Sequence, residues 1–187
     1  WNAPHIVVAR NREHRYGNDI AIRAFAALKA RLPEATLSIA GSGPELETLR
    51  QLALDLRVAE AVEFTGRLEV AEMAALYRTA DVVLNPSRAD NTPNSILEAL
   101  ACGVPVVSTK VGGIPFLVEH ARSAWLVEPD SPEEAADGLA RVLQDPELQR
   151  TLRENGCAIA QACAWSVVKE QWLALYRRVA TEVGIHG

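Results

Sequence analysis

The stretch DVVLNPSRADNTPNSILEALACGVPVVST, residues 81–109, contains a strand, a polar loop, a helix and a second strand in direct succession. The apolar runs at 81–85 and 104–108 are continuous rather than alternating, which is typical of strands that helices cover on both faces. A helix is predicted to begin near Ile96, and Gly103 is suited to end it before the second strand. The unit therefore predicts two parallel strands joined by a helical crossover.

The same alternation of strands and helices extends along the whole chain. Further apolar runs predict strands at 5–9, 36–40, 61–65 and 124–128. The intervening segments repeat apolar residues at a helical period, in the sets Ala21, Ala24, Phe25 and Leu28; Val70, Met73, Ala74 and Tyr77; and Ala135, Leu139, Val142 and Leu143. We therefore predict a single α/β domain over residues 1–187, with a doubly wound, Rossmann-like parallel sheet of about six strands and helices on both faces. In such sheets, ligands bind beyond the carboxyl ends of the strands.

Composition narrows the classes of partner. The chain has 187 residues and a formal net charge of −5, and a surface of that sign repels the phosphate backbone of nucleic acids. No apolar run approaches the roughly 18 residues of a transmembrane helix. The three cysteines lack CxxC spacing and the four histidines lack metal-ligand spacing, so we expect neither disulfides nor a metal site. These features predict a cytoplasmic chain that binds no nucleic acid, and peripheral membrane attachment of a longer parent enzyme is left open.

A basic loop follows the first predicted strand. Arg10, Arg12 and Arg15 lie within six positions of one another in a chain that is acidic overall. Guanidinium groups match phosphate oxygens through paired donors, so a diphosphate is the natural ligand of this loop. A solvated charged loop is the alternative. The position at the carboxyl end of a strand favours the binding site.

Two glycine-containing turns follow other strands. Gly41-Ser42-Gly43 comes after the second strand, where glycines permit a tight turn and the close approach of a ligand. This turn lacks the third glycine of a dinucleotide-binding fingerprint, which disfavours a dinucleotide-dependent oxidoreductase. Gly112-Gly113 follows the fifth strand, and we expect it to expose backbone donors toward the same crevice.

The loop after the fourth strand and the helix behind it form the most informative segment. Pro93 disfavours helix for the residue before it, and Asn94 or Ser95 can cap the helix. The free N–H groups of the first turn and the helix dipole predict an anion site. Glu98 lies about one turn further on, where its carboxylate can accept two hydrogen bonds from a vicinal diol such as that of a ribose. Compensation of the helix dipole explains a glutamate at this position equally well.

Together, these loops resemble the carboxyl-terminal domain of the group 1 (family 4) glycosyltransferases of the GT-B fold. The segment PSRADNTPNSILEALACGVPVVSTKVGGIP, residues 86–115, is similar to the family's donor-binding signature almost position by position. The turn at 41–44, the segment VEFTG at 62–66 and the short segments 80–82 and 86–87 also match. The resemblance extends over essentially the whole chain.

The resemblance implies a role for each candidate residue in binding a nucleotide-diphosphate sugar of UDP or GDP type, without a metal or other cofactor. Glu98 corresponds to the family acid that binds the ribose hydroxyls. Asp90, eight positions earlier, corresponds to the acid near the transferred sugar and is the catalytic candidate. Arg10 corresponds to a phosphate-binding arginine. The sugar and distal phosphate would be held by the turn Asn91, Thr92, Pro93, Asn94 and Ser95, and further donor contacts are implied at Gly41, Gly66, Arg67 and Leu68.

The chain departs from the family pattern at three positions. Asp90 stands where the family has Glu, which shortens the side chain by one methylene. Tyr16 stands where the family has a phosphate-binding lysine, and either Arg12 or Arg15 could make that contact instead. Phe116 replaces the acidic residue that often follows the Gly-Gly-x-Pro turn.

The resemblance also implies a second domain that this chain lacks. A GT-B enzyme has its active site between two Rossmann-like domains, so the chain would be the donor-binding half of a retaining glycosyltransferase whose amino-terminal acceptor domain is missing. Such a half is expected to be inactive by itself, because nothing in it orients the acceptor. Two alternatives remain open. One is a sugar-nucleotide epimerase of similar architecture, for which no acid/base pair with His or Lys is found, and the other is a non-catalytic nucleotide-sugar binding module.

The last segment, from Trp165 to Val183, is predicted to be a helix with an apolar stripe formed by Trp172, Leu175, Tyr176 and Val179. In the family it resembles, the last helix crosses back onto the amino-terminal domain. Without that domain, we expect the stripe to associate with a second copy of the chain or the helix to be displaced and mobile, with self-association favoured at high concentration.

Overall fold

A computed structural model describes residues 3–182 of the chain. The strands are β1 (His5–Ala9), β2 (Thr36–Ala40), β3 (Val62–Gly66), β4 (Val82–Asn85), β5 (Val106–Thr109) and β6 (Trp125–Val127). The helices are α1 (Asn18–Lys29), α2 (Leu46–Asp55), α3 (Val70–Thr79), α4 (Asn94–Ala101), α5 (Ile114–Leu117), α6 (Pro132–Gln144), α7 (Pro146–Ala162) and α8 (Trp165–Glu182). Two short 3-10 helices lie at His14–Tyr16 and Ala59–Ala61.

The six strands form one parallel sheet in the order β3-β2-β1-β4-β5-β6. The predicted fold class is therefore confirmed. β1 and β2 begin and end at the predicted residues, and the other four strands are shifted by no more than two residues. The winding reverses between β1 and β4, where Ile6 pairs with Val82. Loops that leave two strands on either side of such a reversal diverge, and a crevice opens at their carboxyl ends.

Apolar residues cover both faces of the sheet, as the continuous runs predict. In β1, Ile6 and Val8 belong to the apolar cluster that α1, α2 and α6 share, whereas Val7 packs in the cluster formed with α3 and α4. The predicted stripes of α1 and α6 are buried throughout. The predicted stripe of α3 is only partly buried: Tyr77 is buried, but Val70, the first residue of the helix, is 87% exposed.

α8 lies outside the core. None of the residues Trp165–Glu182 is buried, and the predicted stripe, including Trp172 and Tyr176, faces solvent. These two rings stack with their centroids 5.7 Å apart. The predicted last residue of the helix, Val183, lies outside the described residues. Over residues 3–182, no helix combines the length and apolar character needed to cross a membrane.

Candidate functional site

A cavity of about 190 Å³ opens where the winding of the sheet reverses. The carboxyl ends of β1 and β2 form its floor, α4 contributes one wall, and the loop between β3 and α3 contributes another. The lining includes six residues that sequence reasoning assigned to donor binding: Arg10, Gly41, Arg67, Leu68, Ser95 and Glu98. Gly66 ends β3 with a φ of +78° and turns the chain into this wall. The tertiary structure thus brings together residues from four separate loops and helices.

A second cavity of about 370 Å³ adjoins the first across Leu68, Met73 and Glu98. Its lining is mostly apolar and includes Val70 and Tyr77 of α3. A larger groove of about 600 Å³ lies elsewhere, between α5 and α7. We locate the candidate site in the two smaller cavities, because they contain the charged residues that follow the strands at the reversal.

Arg10 is held in one orientation at the crevice. Its Nε donates to Asn85 Oδ1 over 2.7 Å, and its Nη2 lies 2.5 Å from Asp90 Oδ2 as an ion pair. Nη2 is buried, and the Asp90 carboxylate is its partner within the described residues. Burial lowers the pKa of Arg10, and the Asp90 carboxylate opposes that effect. A guanidinium remains charged at neutral pH in any case, so Arg10 presents a partly desolvated cation to an incoming anion.

Asn85 fixes the position of Arg10, and sequence reasoning missed it. Asn85 is buried at the end of β4, where its Oδ1 accepts from Arg10 and, over 3.0 Å, from the Ser87 hydroxyl. Its Nδ2 donates to Ser108 Oγ on β5 over 2.9 Å. A polar residue that closes an otherwise apolar strand is the signal that could have found it, because buried polar groups require partners.

The Gly112-Gly113 turn supports the Asp90 loop rather than facing the crevice. The Gly113 N–H donates to the Asp90 carbonyl over 3.3 Å, so the expectation that this turn offers its backbone donors to a ligand is wrong for that group. Gly112 has a φ of +54°, and a Cβ there would overlap the Asp90 carbonyl oxygen. Backbone contact this close requires glycine.

The first turn of α4 begins earlier than predicted. The helix starts at Asn94 with Pro93 as its N-cap residue, and no side chain caps it, so the prediction that Asn94 or Ser95 is the cap is wrong. Pro93 is buried and fixes the entry of the chain, which leaves the first N–H groups of the helix without side-chain partners. Of the predicted turn, only Ser95 lines the cavity, while Asn91, Thr92 and Asn94 are exposed.

Glu98 borders both cavities and is bound from behind by Tyr77. The Tyr77 hydroxyl donates to Glu98 Oε2 over 3.0 Å, and the Tyr77 side chain is fully buried while Glu98 is exposed. Burial and the neighbouring Glu98 carboxylate raise the pKa of Tyr77, so the phenol keeps its proton. Sequence reasoning treated Tyr77 only as part of an apolar stripe.

The two remaining basic residues of the first loop differ in position. Arg12 is buried, lines neither cavity, and has its pKa lowered by burial and by the nearby Arg50. Arg15 is exposed, and its guanidinium carbon lies 4.7 Å from the centre of the Tyr16 ring, on which Arg10 also packs at 5.2 Å. Arg15 and Arg10 therefore both contact the Tyr16 ring, whereas Arg12 lines neither cavity.

Metal ligation has no candidate in the part of the chain that the structure describes. Within residues 3–182, no group of three or more His, Cys, Asp or Glu side chains is placed to hold a metal ion.

Comparison with known families agrees with this geometry. The family model described as Glycosyl transferases group 1 matches residues 2–158. The chain belongs to the group 1 glycosyltransferases. That match includes every candidate residue of the crevice, and it confirms the resemblance drawn from the segment 86–115.

Individual group 1 relatives are similar over most of this chain. It is 32% identical to D-inositol 3-phosphate glycosyltransferase of Corynebacterium jeikeium over 170 residues, which cover 87% of the chain and 41% of the relative. It is 33% identical to the GDP-mannose-dependent alpha-(1-6)-phosphatidylinositol monomannoside mannosyltransferase of Mycobacterium tuberculosis over 185 residues, covering 95% of the chain and 46% of the relative.

The fold is similar to that of Anabaena Alr3699/HepE, solved in complex with UDP-glucose. The TM-score is 0.84 at 26% identity, covering 95% of this chain and 49% of that one. The chain thus spans less than half the length of these relatives, and it matches their carboxyl-terminal part.

Proposed function

We propose that this group 1 chain binds a nucleotide-diphosphate sugar in the crevice between β1 and α4. One observation carries the proposal: Arg10 and Glu98, a cation and a carboxylate, line the same cavity at the reversal of the sheet. The cation suits a diphosphate, and the carboxylate suits the two hydroxyls of a ribose. The donor type is UDP or GDP, since Anabaena HepE binds UDP-glucose and the Mycobacterium tuberculosis relative is GDP-mannose-dependent.

Each residue of the crevice has a proposed role. The Arg10 guanidinium binds the diphosphate, and the Glu98 carboxylate accepts from the ribose. Asp90 and the backbone of the turn 91–95 bind the transferred sugar and the distal phosphate. Asp90 is already paired with Arg10, so the pair joins the sugar end of the site to its phosphate end.

We further propose that the parent protein is a retaining glycosyltransferase whose amino-terminal domain binds the acceptor. The chain spans less than half the length of its relatives, which supports a second domain. The cleft between two such domains would exclude water and orient the acceptor. The three free cysteines support a reducing, cytoplasmic location. The exposed stripe of α8 supports self-association of the chain when that domain is absent.

Titration calorimetry with UDP, GDP, UDP-glucose, GDP-mannose and the bare nucleosides tests the donor site. Arg10→Ala is expected to weaken the diphosphates at least about tenfold, to leave the nucleosides nearly unchanged, and to reduce the salt dependence of binding. Glu98→Gln is expected to weaken ribonucleotides by about tenfold or more, because a hydrogen bond to a charged group contributes about 1.5–3 kcal/mol.

Arg31→Ala is the matched control, since Arg31 is an exposed arginine that follows α1 at the opposite end of the sheet. It should leave every affinity unchanged. Equal losses for nucleoside and diphosphate in Arg10→Ala would show that Arg10 supports the fold instead of the phosphates. Failure of the unmutated chain to bind any of these nucleotides would refute the proposed donor site.

A further inference from the structure

We propose that Tyr77 is a positioning residue that makes the donor site selective for a ribose over a deoxyribose. It acts by fixing the Glu98 carboxylate before the nucleotide arrives. The inference rests on the proposed role of Glu98 in binding the ribose hydroxyls.

The hydrogen bond from Tyr77 joins two helices across the mouth of the crevice. Tyr77 lies near the end of α3 and Glu98 lies in the middle of α4, and the hydroxyl oxygen is 3.0 Å from Glu98 Oε2. The Ser95 carbonyl is a second acceptor at 3.4 Å. Because Tyr77 is only 1% exposed, the packed core holds its ring in place. The bond therefore transmits the rigidity of the core to an exposed carboxylate.

Among residues 3–182, the bond from Tyr77 is the single side-chain hydrogen bond that the Glu98 carboxylate makes. A glutamate side chain has several rotatable bonds, and an unrestrained one samples many rotamers. With Oε2 bound to the phenol, Oε1 remains available to accept from the ligand. The fixed carboxylate is thus prepared for the diol.

The phenol acts only as a donor in this arrangement. Burial and the Glu98 charge both keep the Tyr77 proton in place, as described above, so the direction of the bond does not reverse near neutral pH. Tyr77 lines the apolar cavity but not the cavity that contains Arg10, whereas Glu98 lines both. Tyr77 therefore stands behind Glu98 and acts on the ligand through it.

Tyr77→Phe keeps the ring and removes the donor, which makes it the direct test. We expect it to weaken the binding of UDP or GDP about threefold to tenfold. This is the loss of affinity expected when the ligand has to immobilise the Glu98 side chain on binding. The 2′-deoxy counterparts should lose much less, because they offer Glu98 only one of the two hydroxyls. Tyr176→Phe, which removes an exposed phenol from α8, is the matched control and should change nothing.

A double-mutant cycle separates this inference from the proposed function. Titration calorimetry with UDP, GDP and both 2′-deoxy nucleotides is run on the unmutated chain, Tyr77→Phe, Glu98→Gln and the double variant, with a melting curve for each. If Tyr77 acts through Glu98, the double variant should bind no more weakly than Glu98→Gln alone. That result, together with a loss confined to ribonucleotides, supports the positioning role even if the melting temperature falls.

Five outcomes count against the inference. If Tyr77→Phe binds nucleotides like the unmutated chain while Glu98→Gln binds them more weakly, the positioning role is overturned and the donor site stands. Equal losses for ribo and deoxy nucleotides, or additive losses in the double variant, show that Tyr77 is merely structural. Unchanged binding in Glu98→Gln, or no binding of UDP and GDP by the unmutated chain, refutes the proposed ribose contact and this inference with it.

Discussion

Arg88 joins three loops around the candidate site, and its removal is expected to destabilise the fold strongly. Its Nη1 and Nη2 donate to the two carboxylate oxygens of Asp19, each over 2.8 Å. Its Nε donates to Asp130 Oδ1 over 2.6 Å, and Nη1 also donates to the His14 carbonyl over 2.7 Å. The loop after β4 is thereby tied to the start of α1 and to the loop after β6.

The magnitude follows from the exposure of the partners. An exposed ion pair contributes about 0.2–1 kcal/mol, whereas removing one partner of a buried pair costs about 3–5 kcal/mol. The side chain of Arg88 is 17% exposed, that of Asp19 33% and that of Asp130 59%. We therefore expect Arg88→Ala to lower the free energy of unfolding by about 2–3 kcal/mol, which for a chain of this size lowers the melting temperature by about 4–12 °C.

Urea titration followed by circular dichroism measures this loss, and Arg31→Ala provides the control. Arg31 bonds Asp137 over 2.6 Å, but both side chains are more than half exposed, so its removal should cost less than about 1 kcal/mol. If Arg88→Ala costs no more than Arg31→Ala, the three-loop contact does not stabilise the fold and the reasoning from burial is wrong.

The loss in Arg88→Ala should also depend on pH. Burial alone would raise the pKa of Asp19, but the hydrogen bonds and charge of Arg88 outweigh burial and lower that pKa. A carboxyl with a lowered pKa in the folded state stabilises the fold above its unfolded pKa of about 3.9, and this contribution is lost as the pH falls through the folded value. The difference in free energy of unfolding between the unmutated chain and Arg88→Ala should therefore be largest near pH 6 and shrink below about pH 4. A difference that stays constant down to pH 3 would contradict the role of Asp19.

Two further outcomes are expected. In urea titration, Gly112→Ala should lower the free energy of unfolding clearly more than Gly66→Ala. Left-handed strain alone predicts a loss of about 1–2 kcal/mol at Gly66, whereas at Gly112 the new Cβ would also overlap the backbone of Asp90. Similar losses in the two variants would argue against that close contact. Sedimentation velocity over a concentration series should show self-association of the chain, and replacing Trp172 and Tyr176 together by Ser should abolish it. A strict monomer whose α8 is protected from hydrogen exchange would contradict this prediction.

Local pattern was enough to predict the fold and several residues that line the candidate cavity. Continuous apolar runs and helical periodicity are properties of neighbouring residues, so β1 (His5–Ala9) and the stripe of α1 could be read directly from the chain. The segment 86–115, which carries the family resemblance, is likewise contiguous, and its order of loop, helix and strand is fixed by short-range preferences. For that reason Glu98 could be named as a candidate before the cavity that it shares with Arg10 was known.

Only the tertiary structure determined which distant groups meet. Arg10 reaches Asn85 across 75 positions, Arg88 reaches Asp19 across 69, and Tyr77 reaches Glu98 across 21. Such pairs leave no periodic trace in one sequence, because strand order and helix packing bring them together.

The choice between Arg12 and Arg15 shows the same limit. Both are arginines in one short loop, yet Arg12 is buried while Arg15 is exposed and contacts the Tyr16 ring, as Arg10 does. Composition assigns a charge to a loop, but the packing of that loop against its neighbours decides where each charge points.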